Sequence, residues 1–112
     1  MSNNVILVGR LVDTPIIDYV GADEDKKHTR ITIAVGRNYK GVNGEYETDF
    51  IDVEIYGLVA ETTCEYCRKG DIIGVRGRLE TSIYTDENEN KHKRMIVIAD
   101  KITFLSSKKE EN

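Results

Sequence analysis

Two short runs of alternating apolar and polar residues leave this 112-residue chain few alternatives to a β-sheet protein. Residues 31–35 read ITIAV, and residues 50–56 read FIDVEIY. A repeat of two residues is typical of strands that turn one face to a core and the other outward. The aliphatic residues of the second run share one face, whereas Phe50 and Tyr56 stand at the two ends of the other. We therefore predict two strands joined by a polar loop that contains Gly41 and Gly44.

A third aromatic residue lies between two cations just after the first run. The sequence there is Arg37-Asn38-Tyr39-Lys40, at the start of the predicted loop. Exposed rings offer flat surfaces to unstacked nucleobases, and positive charge nearby attracts the phosphates that join them. This loop and the outward face of the second strand are therefore a candidate surface for a single nucleic-acid strand.

Charge and composition narrow the class of protein. A net charge of −4 excludes a wholly basic coat, so any nucleic-acid site must be a local patch. No apolar run approaches the roughly 20 residues of a membrane-spanning helix. The N-terminus lacks the features of a secretory signal, so we expect a cytoplasmic protein. Because no Ser-His-Asp arrangement, pair of catalytic carboxylates or phosphate loop is found, we expect neither an enzyme nor a cofactor.

Cys64 and Cys67 have the CxxC spacing of many zinc and redox sites. A zinc site needs four ligands, and only His28 and His92 remain to complete it, far apart in sequence. A redox pair would stand at a helix N-terminus after a strand. Both cysteines instead fall late in a predicted helix, on its apolar face, so we interpret them as core thiols and predict no metal site.

The N-terminal part of the chain begins with a fully apolar run, VILV, at residues 5–8. Such a run suits a strand covered on both faces, inside a barrel or at a subunit contact. Gly9 predicts a bend or bulge, Pro15 a break, and residues 16–19 renewed extended structure. A charged loop follows at 21–27.

The C-terminal half predicts one helix and a long hairpin. A helix over 58–69 is expected from the spacing of Ala60, Thr63, Cys64 and Cys67, with Gly70 as its C-cap. Residues 71–79 resume alternation with Leu79 inward, and 81–84 extend that strand to a polar hairpin tip at 86–90. Residues 94–98 form the returning strand, 99–105 a short extended piece, and 106–112 a polar end.

Together these elements predict an all-β domain with about five strands and one short helix after the third strand. This order is typical of the five-stranded OB-fold Greek-key barrel, although SH3-like and other small barrels give similar patterns. We expect one domain over residues 1–105 and a short polar tail over 106–112.

The chain also resembles the bacterial single-stranded DNA-binding protein family over roughly residues 4–105. The resemblance depends on the order and spacing of short segments: NVILVGRL at 4–11, DTP at 13–15, ITIAV at 31–35, TDFI at 48–51, AE at 60–61, EY at 65–66, RKGD at 68–71 and GRL at 77–79. It implies a non-enzymatic protein that binds single-stranded DNA with little sequence preference and protects it during replication, recombination or repair.

The resemblance also implies which residues hold the DNA. The family stacks bases on aromatic side chains at four positions, which here are Tyr39, Phe50, Tyr56 and Tyr84; we call these the predicted platforms. Tyr19, Tyr46 and Tyr66 are interpreted as packing or loop residues. The cations that we expect along the phosphate path are Arg10, Arg37, Lys40, Arg76, Arg78, Lys91, Lys93 and Arg94.

Two features depart from the family pattern. The chain ends in KKEEN without the acidic, phenylalanine-ended tip that recruits other proteins, so replication proteins stay only possible partners. Asp52 and Glu54 lie on the same face as Phe50 and Tyr56, where two carboxylates should weaken DNA binding. The alternative is that cross-strand cations such as Arg30 neutralise them.

The last predictions concern the oligomeric state of the protein and two alternative functions. We predict a homotetramer, with a dimer as the second choice, because the run at 5–8 is apolar and members of the family associate through their sheets. We expect the protein in the cytoplasm, associated with the nucleoid and not with a membrane. An adaptor of replication restart like primosomal replication protein B, or an RNA-binding OB module, stays open as an alternative.

Overall fold

The computed structural model describes residues 1–20 and 26–107. In this part the chain forms six strands and one helix, in the order β1 (Val5–Leu11), β2 (Asp18–Val20), β3 (Lys26–Lys40), β4 (Tyr46–Tyr56), α1 (Gly57–Tyr66), β5 (Ile72–Thr85) and β6 (Lys91–Ser106). Residues 21–25 of the predicted charged loop and residues 108–112 of the predicted tail lie outside the described residues. The loop prediction is wrong for residues 26 and 27, which begin β3.

Five of the strands close into a barrel. Neighbours follow the order β1-β5-β6-β4-β3, and a further pairing of β1 with β3 closes the circle. Only the β4–β6 pair is parallel, whereas the other pairs are antiparallel. The short β2 pairs with the edge of β3 and adds no barrel strand. This is the OB-fold Greek-key barrel, and α1 follows its third strand, so both predictions are confirmed.

The barrel closes where β1 changes partner. Val5 to Arg10 pair with β5, whereas Arg10 and Leu11 pair with β3. A Cβ atom on Gly9 would lie 2.7 Å from the Ala34 carbonyl oxygen, so no larger residue fits this crossing without a shift. β1 continues through Gly9, which serves a close approach of two strands.

The core contains the inward residues that the alternation predicted. Ile31, Ile33, Val53 and Ile55 are buried, together with Ile73 and Val75 of β5. Leu79 is an exception, since its side chain is exposed although alternation predicted it inward. β5 and β6 continue as a two-stranded ribbon to the tip at 86–90, and a two-stranded ribbon has no second layer to cover its faces.

The predicted helix is too long at its C-terminus. α1 ends at Tyr66, and the N–H of the cap residue Cys67 donates to the Thr63 carbonyl at 3.0 Å. Gly70, with φ of 94°, lies beyond the cap, in a turn where the Asp71 N–H donates to the Arg68 carbonyl. Arg68 Nη1 donates to the Cys64 and Glu65 carbonyls, which satisfies groups that a longer helix would have used.

Two other boundaries and one burial prediction differ from the sequence interpretation. β3 extends to Lys40, so Tyr39 lies in a strand and not in a loop. Residues 94–98 and 99–105 belong to one strand, β6. The apolar run at 5–8 has only one covered face, because Ile6 and Val8 are 74% and 53% exposed in the single chain.

Candidate nucleic-acid interface

All four predicted platforms are exposed rings. Phe50 and Tyr56 lie on β4, Tyr39 near the end of β3, and Tyr84 near the end of β5. These rings are therefore available to a ligand rather than used by the core.

The outer face of β3 and β4 carries two of the platforms. Phe50 lies opposite Ala34, whose methyl group leaves the ring uncovered. Tyr56 lies opposite His28, and the two ring centroids are 4.8 Å apart with 37° between their planes. The imidazole thus lies at a tilt beside the tyrosine ring, and half of the Tyr56 surface stays exposed.

Tyr84 has a similar arrangement on the β5–β6 ribbon. Its register partner is His92, with ring centroids 5.1 Å apart and planes only 23° from parallel. The Arg94 guanidinium carbon lies 5.8 Å from the tyrosine ring centroid. Arg94 thus stands beside the Tyr84 ring, and sites that hold single strands combine a cation with a ring in the same way.

A cation–π pair also stands at the β3–β4 hairpin end. The Arg37 guanidinium carbon is 6.0 Å from the Tyr39 ring centroid, and Lys40 Nζ is 5.6 Å from that of Tyr46. Tyr46 was interpreted as a packing or loop residue, yet its ring is exposed at the start of β4. Tyr19 and Tyr66 are also exposed, and none of the three lies in a loop, since Tyr19 belongs to β2, Tyr46 to β4 and Tyr66 to α1.

Four of the predicted phosphate-binding cations already have partners in the protein. Arg10 Nη1 donates to the Gly70 carbonyl at 2.7 Å, which ties β1 to the turn before β5. Arg76 pairs with Asp100 at 3.3 Å, and Arg78 pairs with Glu80. The pairs of Arg76 and Arg78 are exposed, so water or phosphate can compete for these cations, whereas the partly buried bond of Arg10 supports the fold.

Arg37 contacts two carboxylates of β4. Its Nη2 lies 2.8 Å from Asp49, and its Nη1 lies 3.2 Å from Glu47. The hydrogen bond to Asp49 raises the pKa of Arg37, and the same bond lowers the pKa of Asp49. Asp49 precedes Phe50 in β4 and points to the other side of the strand, so Arg37 is anchored on the face opposite the Phe50 ring.

The basic residues of β6 near the hairpin tip lie on two different faces of the β5–β6 ribbon. Arg94 and His92 share the face of Tyr84, because they pair with Ser82 and Tyr84. Lys91 and Lys93 pair with Thr85 and Ile83 and lie on the reverse face. The structure therefore brings Arg94, but neither Lys91 nor Lys93, to the Tyr84 platform.

Asp52 and Glu54 differ from each other in a way that alternation did not show. Glu54 is only 7% exposed and accepts hydrogen bonds from His28 Nε2 and, at 2.6 Å, from Arg30 Nε. Burial alone would raise the pKa of Glu54, but the bonds from His28 and Arg30 outweigh it, and the pKa lies below its usual value. The expectation that Glu54 opposes DNA as an unpaired carboxylate is thus wrong, and its neutralisation by Arg30 is confirmed.

Asp52 is exposed, and the group that donates a hydrogen bond to it is a neutral hydroxyl. Thr32 Oγ1 donates to its carboxylate at 2.6 Å. A hydroxyl satisfies an acceptor oxygen without cancelling the charge, so repulsion between Asp52 and phosphate stays a prediction. Arg30 offsets part of that charge, since its pKa is raised mainly by the hydrogen bond to Glu54 and further by the charge of Asp52.

The histidines are the site residues that sequence reasoning missed. The sequence contained the information needed to find His92. In a hairpin whose tip is centred on residue 88, residues 84 and 92 lie opposite each other, as Tyr84 and His92 do. His28 gave no such signal, because its strand began earlier than the alternation at 31–35 indicated.

The next observations concern metal binding, the two cysteines and membrane spans in residues 1–20 and 26–107. There, no group of three or more His, Cys, Asp or Glu side chains is arranged to hold a metal ion. Cys64 and Cys67 are free thiols, partly and fully buried, and burial raises the pKa of Cys67. No helix in the described part of the chain is long and apolar enough to cross a membrane.

Comparisons with known proteins agree over nearly the whole chain. The model of the single-strand binding protein family matches residues 2–105. Single-stranded DNA-binding protein B of Bacillus subtilis is 37% identical over 111 residues, which are 99% of this chain and 96% of that protein. Single-stranded DNA-binding protein 1 of Clostridium acetobutylicum is 36% identical over 96% of this chain and 97% of that protein. Single-stranded DNA-binding protein 2 of Streptococcus agalactiae serotype III is 41% identical over 98% of this chain and 82% of that protein.

Proposed function

Because this chain belongs to the single-strand binding protein family, we propose that it binds single-stranded DNA with little base preference. It is a binding protein and not an enzyme. The observation that carries the proposal is the set of exposed rings on the outside of an OB-fold barrel, two of them backed by an imidazole. Stacking accepts every base because each has a π face, which gives binding without sequence preference.

The bases stack on Tyr39, Phe50, Tyr56 and Tyr84 in this proposal. Each stacked base contributes roughly 1–3 kcal/mol, so four platforms account for most of the affinity of one subunit. None of the four is a tryptophan, which the sequence lacks entirely, so each surface is smaller than an indole would offer.

Cations guide and neutralise the phosphates. Arg94 and Lys40 stand beside rings, and Arg76 and Arg78 can exchange an exposed carboxylate for a phosphate. Lys91 and Lys93 serve a strand that wraps around the ribbon tip, whereas Arg10 and Arg37 contribute least because their protein partners hold them. With a net charge of −4, affinity depends on these local contacts and falls as salt rises.

Self-association belongs to the same proposal. Ile6 and Val8 form an exposed apolar stripe on β1, and burial of such side chains drives assembly. A homotetramer, or failing that a dimer, gives one DNA strand several weak sites at high effective concentration. The protein then covers single strands near the nucleoid in the cytoplasm during replication, recombination or repair, where replication proteins are its possible partners.

One titration separates this function from its alternatives. Labelled oligo-dT, oligo-U and duplex DNA are each titrated at two salt concentrations. We expect tight binding of oligo-dT, weaker binding of oligo-U, and duplex binding too weak to compete. Preference for oligo-U would indicate an RNA-binding module, and weak binding of all three would indicate an adaptor.

A further inference from the structure

The chain has two histidines, and each contacts one tyrosine ring and one carboxylate. His28 lies against the Tyr56 ring at 4.8 Å, and its Nε2 contacts the Glu54 carboxylate. His92 lies against the Tyr84 ring at 5.1 Å, and its Nε2 is 2.7 Å from the Asp86 carboxylate. The two sites are built separately, one across β3 and β4 and the other across the β5–β6 ribbon.

The carboxylates decide which imidazole nitrogen is free to titrate. An ionised carboxylate only accepts hydrogen bonds, so Nε2 must carry the proton in both pairs. Nδ1 is then the nitrogen that gains a proton when the ring becomes charged. Both carboxylates are ionised near neutral pH, because the bond from His92 lowers the pKa of Asp86, and the bonds to Glu54 overcome the effect of its burial.

We propose that His28 and His92 are positioning residues for the Tyr56 and Tyr84 platforms, and that protonation of either imidazole tightens the binding of single-stranded DNA. This inference rests on the proposed function. The carboxylate fixes the imidazole, and the imidazole supports one face of the tyrosine while a base takes the other. An imidazolium in that position attracts both the π face of the ring and the phosphates on either side of the base.

Charges of both signs surround each imidazole. His28 faces Glu54 on β4 and Asp18, its register partner on β2, while Lys26 and Arg30 flank it on its own strand. On the other face of β3, Lys27 pairs with Glu61 of α1. His92 faces Asp86 at the hairpin tip, with Arg94 next along the same face. A phosphate strand adds negative charge to both surroundings, so DNA binding and proton uptake reinforce each other.

The test compares affinity for labelled oligo-dT at about pH 7.5 and about pH 5.5, the range in which histidine ordinarily titrates, at constant ionic strength. Thymine does not change charge in this range. The variants are His28→Gln, His92→Gln and the double variant, because glutamine keeps an N–H for the carboxylate but cannot gain a proton. Glu65→Gln, on α1 away from the platforms, is the matched control for loss of one titratable group.

In the wild type and in Glu65→Gln, Kd should fall as the pH falls, by about two- to three-fold for each histidine. This is the effect of one charge about 7–8 Å from a phosphate in water. His92→Gln, at the exposed ribbon tip, should lose half of the change on a logarithmic scale, and the double variant should lose all of it. A double variant as pH-dependent as the wild type would overturn the inference, and so would a wild type that binds tightly but equally at both pH values. Absence of oligo-dT binding at either pH would instead overturn the proposed function itself.

Discussion

Removal of the Phe50 ring is the most direct perturbation of DNA binding, because the structure separates its role from stability. The side chain is 68% exposed and lies opposite the small Ala34. Phe50→Ala therefore opens no cavity in the core. We expect the free energy of unfolding to change by about 0.5 kcal/mol or less, as for other surface substitutions.

The effect on binding should be far larger than the effect on stability. One stacked base is worth roughly 1–3 kcal/mol, which corresponds to an increase in Kd of about five- to 150-fold per site. Because stacking releases no counterions, the slope of log K against log[salt] should stay the same. A conservative Phe50→Tyr variant keeps the ring and should bind nearly as well as the wild type.

Tyr66→Ala is the matched control, since this tyrosine is 65% exposed but lies at the end of α1, away from the platforms. Binding of a short labelled oligo-dT is measured by fluorescence anisotropy at several salt concentrations, with circular dichroism to verify folding. The short oligonucleotide keeps other subunits from masking the loss at one ring. If folded Phe50→Ala binds as tightly as Tyr66→Ala, the stacking model for this residue is refuted.

Three further variants test charge, stability and assembly. Arg94→Gln should lower the salt slope by about 0.7, the value for one lost phosphate contact with a single strand, and an unchanged slope would remove Arg94 from the phosphate path. Glu54→Gln should destabilise the fold in urea by about 1.5–3 kcal/mol near pH 7, because it breaks charged hydrogen bonds from His28 and Arg30. The pKa of Glu54 is lower in the folded state than in the unfolded chain, where it is about 4.3. The stability that the Glu54 carboxylate contributes is therefore complete above that unfolded pKa and is lost as the pH falls through the folded pKa. If Glu54→Gln destabilised the fold as much at about pH 3 as near pH 7, this origin of the effect would be contradicted. Ile6→Glu should reduce the molar mass in light scattering, whereas a monomeric wild type would exclude the β1 stripe as an assembly surface.

Local pattern alone predicted the strands, the hairpin and three of the four candidate rings. Alternation at 31–35 and 50–56 determines which side chains share a face, because successive residues of a strand point in opposite directions whatever lies around it. The polar tip at 86–90 predicted the β5–β6 ribbon, because a short polar loop between two strands indicates a hairpin. The outward position of Phe50 and Tyr56 follows from this periodicity, the cations beside Tyr39 singled out that ring, and the resemblance to a family added Tyr84.

The tertiary structure decided what each face meets. Glu54 has the same parity as Asp52, yet only Glu54 is buried, because strand register places it beside His28 and Arg30. Those partners are 26 and 24 residues away along the chain, a separation that no local repeat encodes. Ile6 belongs to a run that suits burial on both faces, but a lone barrel has only one interior. Periodicity thus assigns a side chain to a face, whereas the packing of distant strands determines whether that face is core, ion pair or open surface.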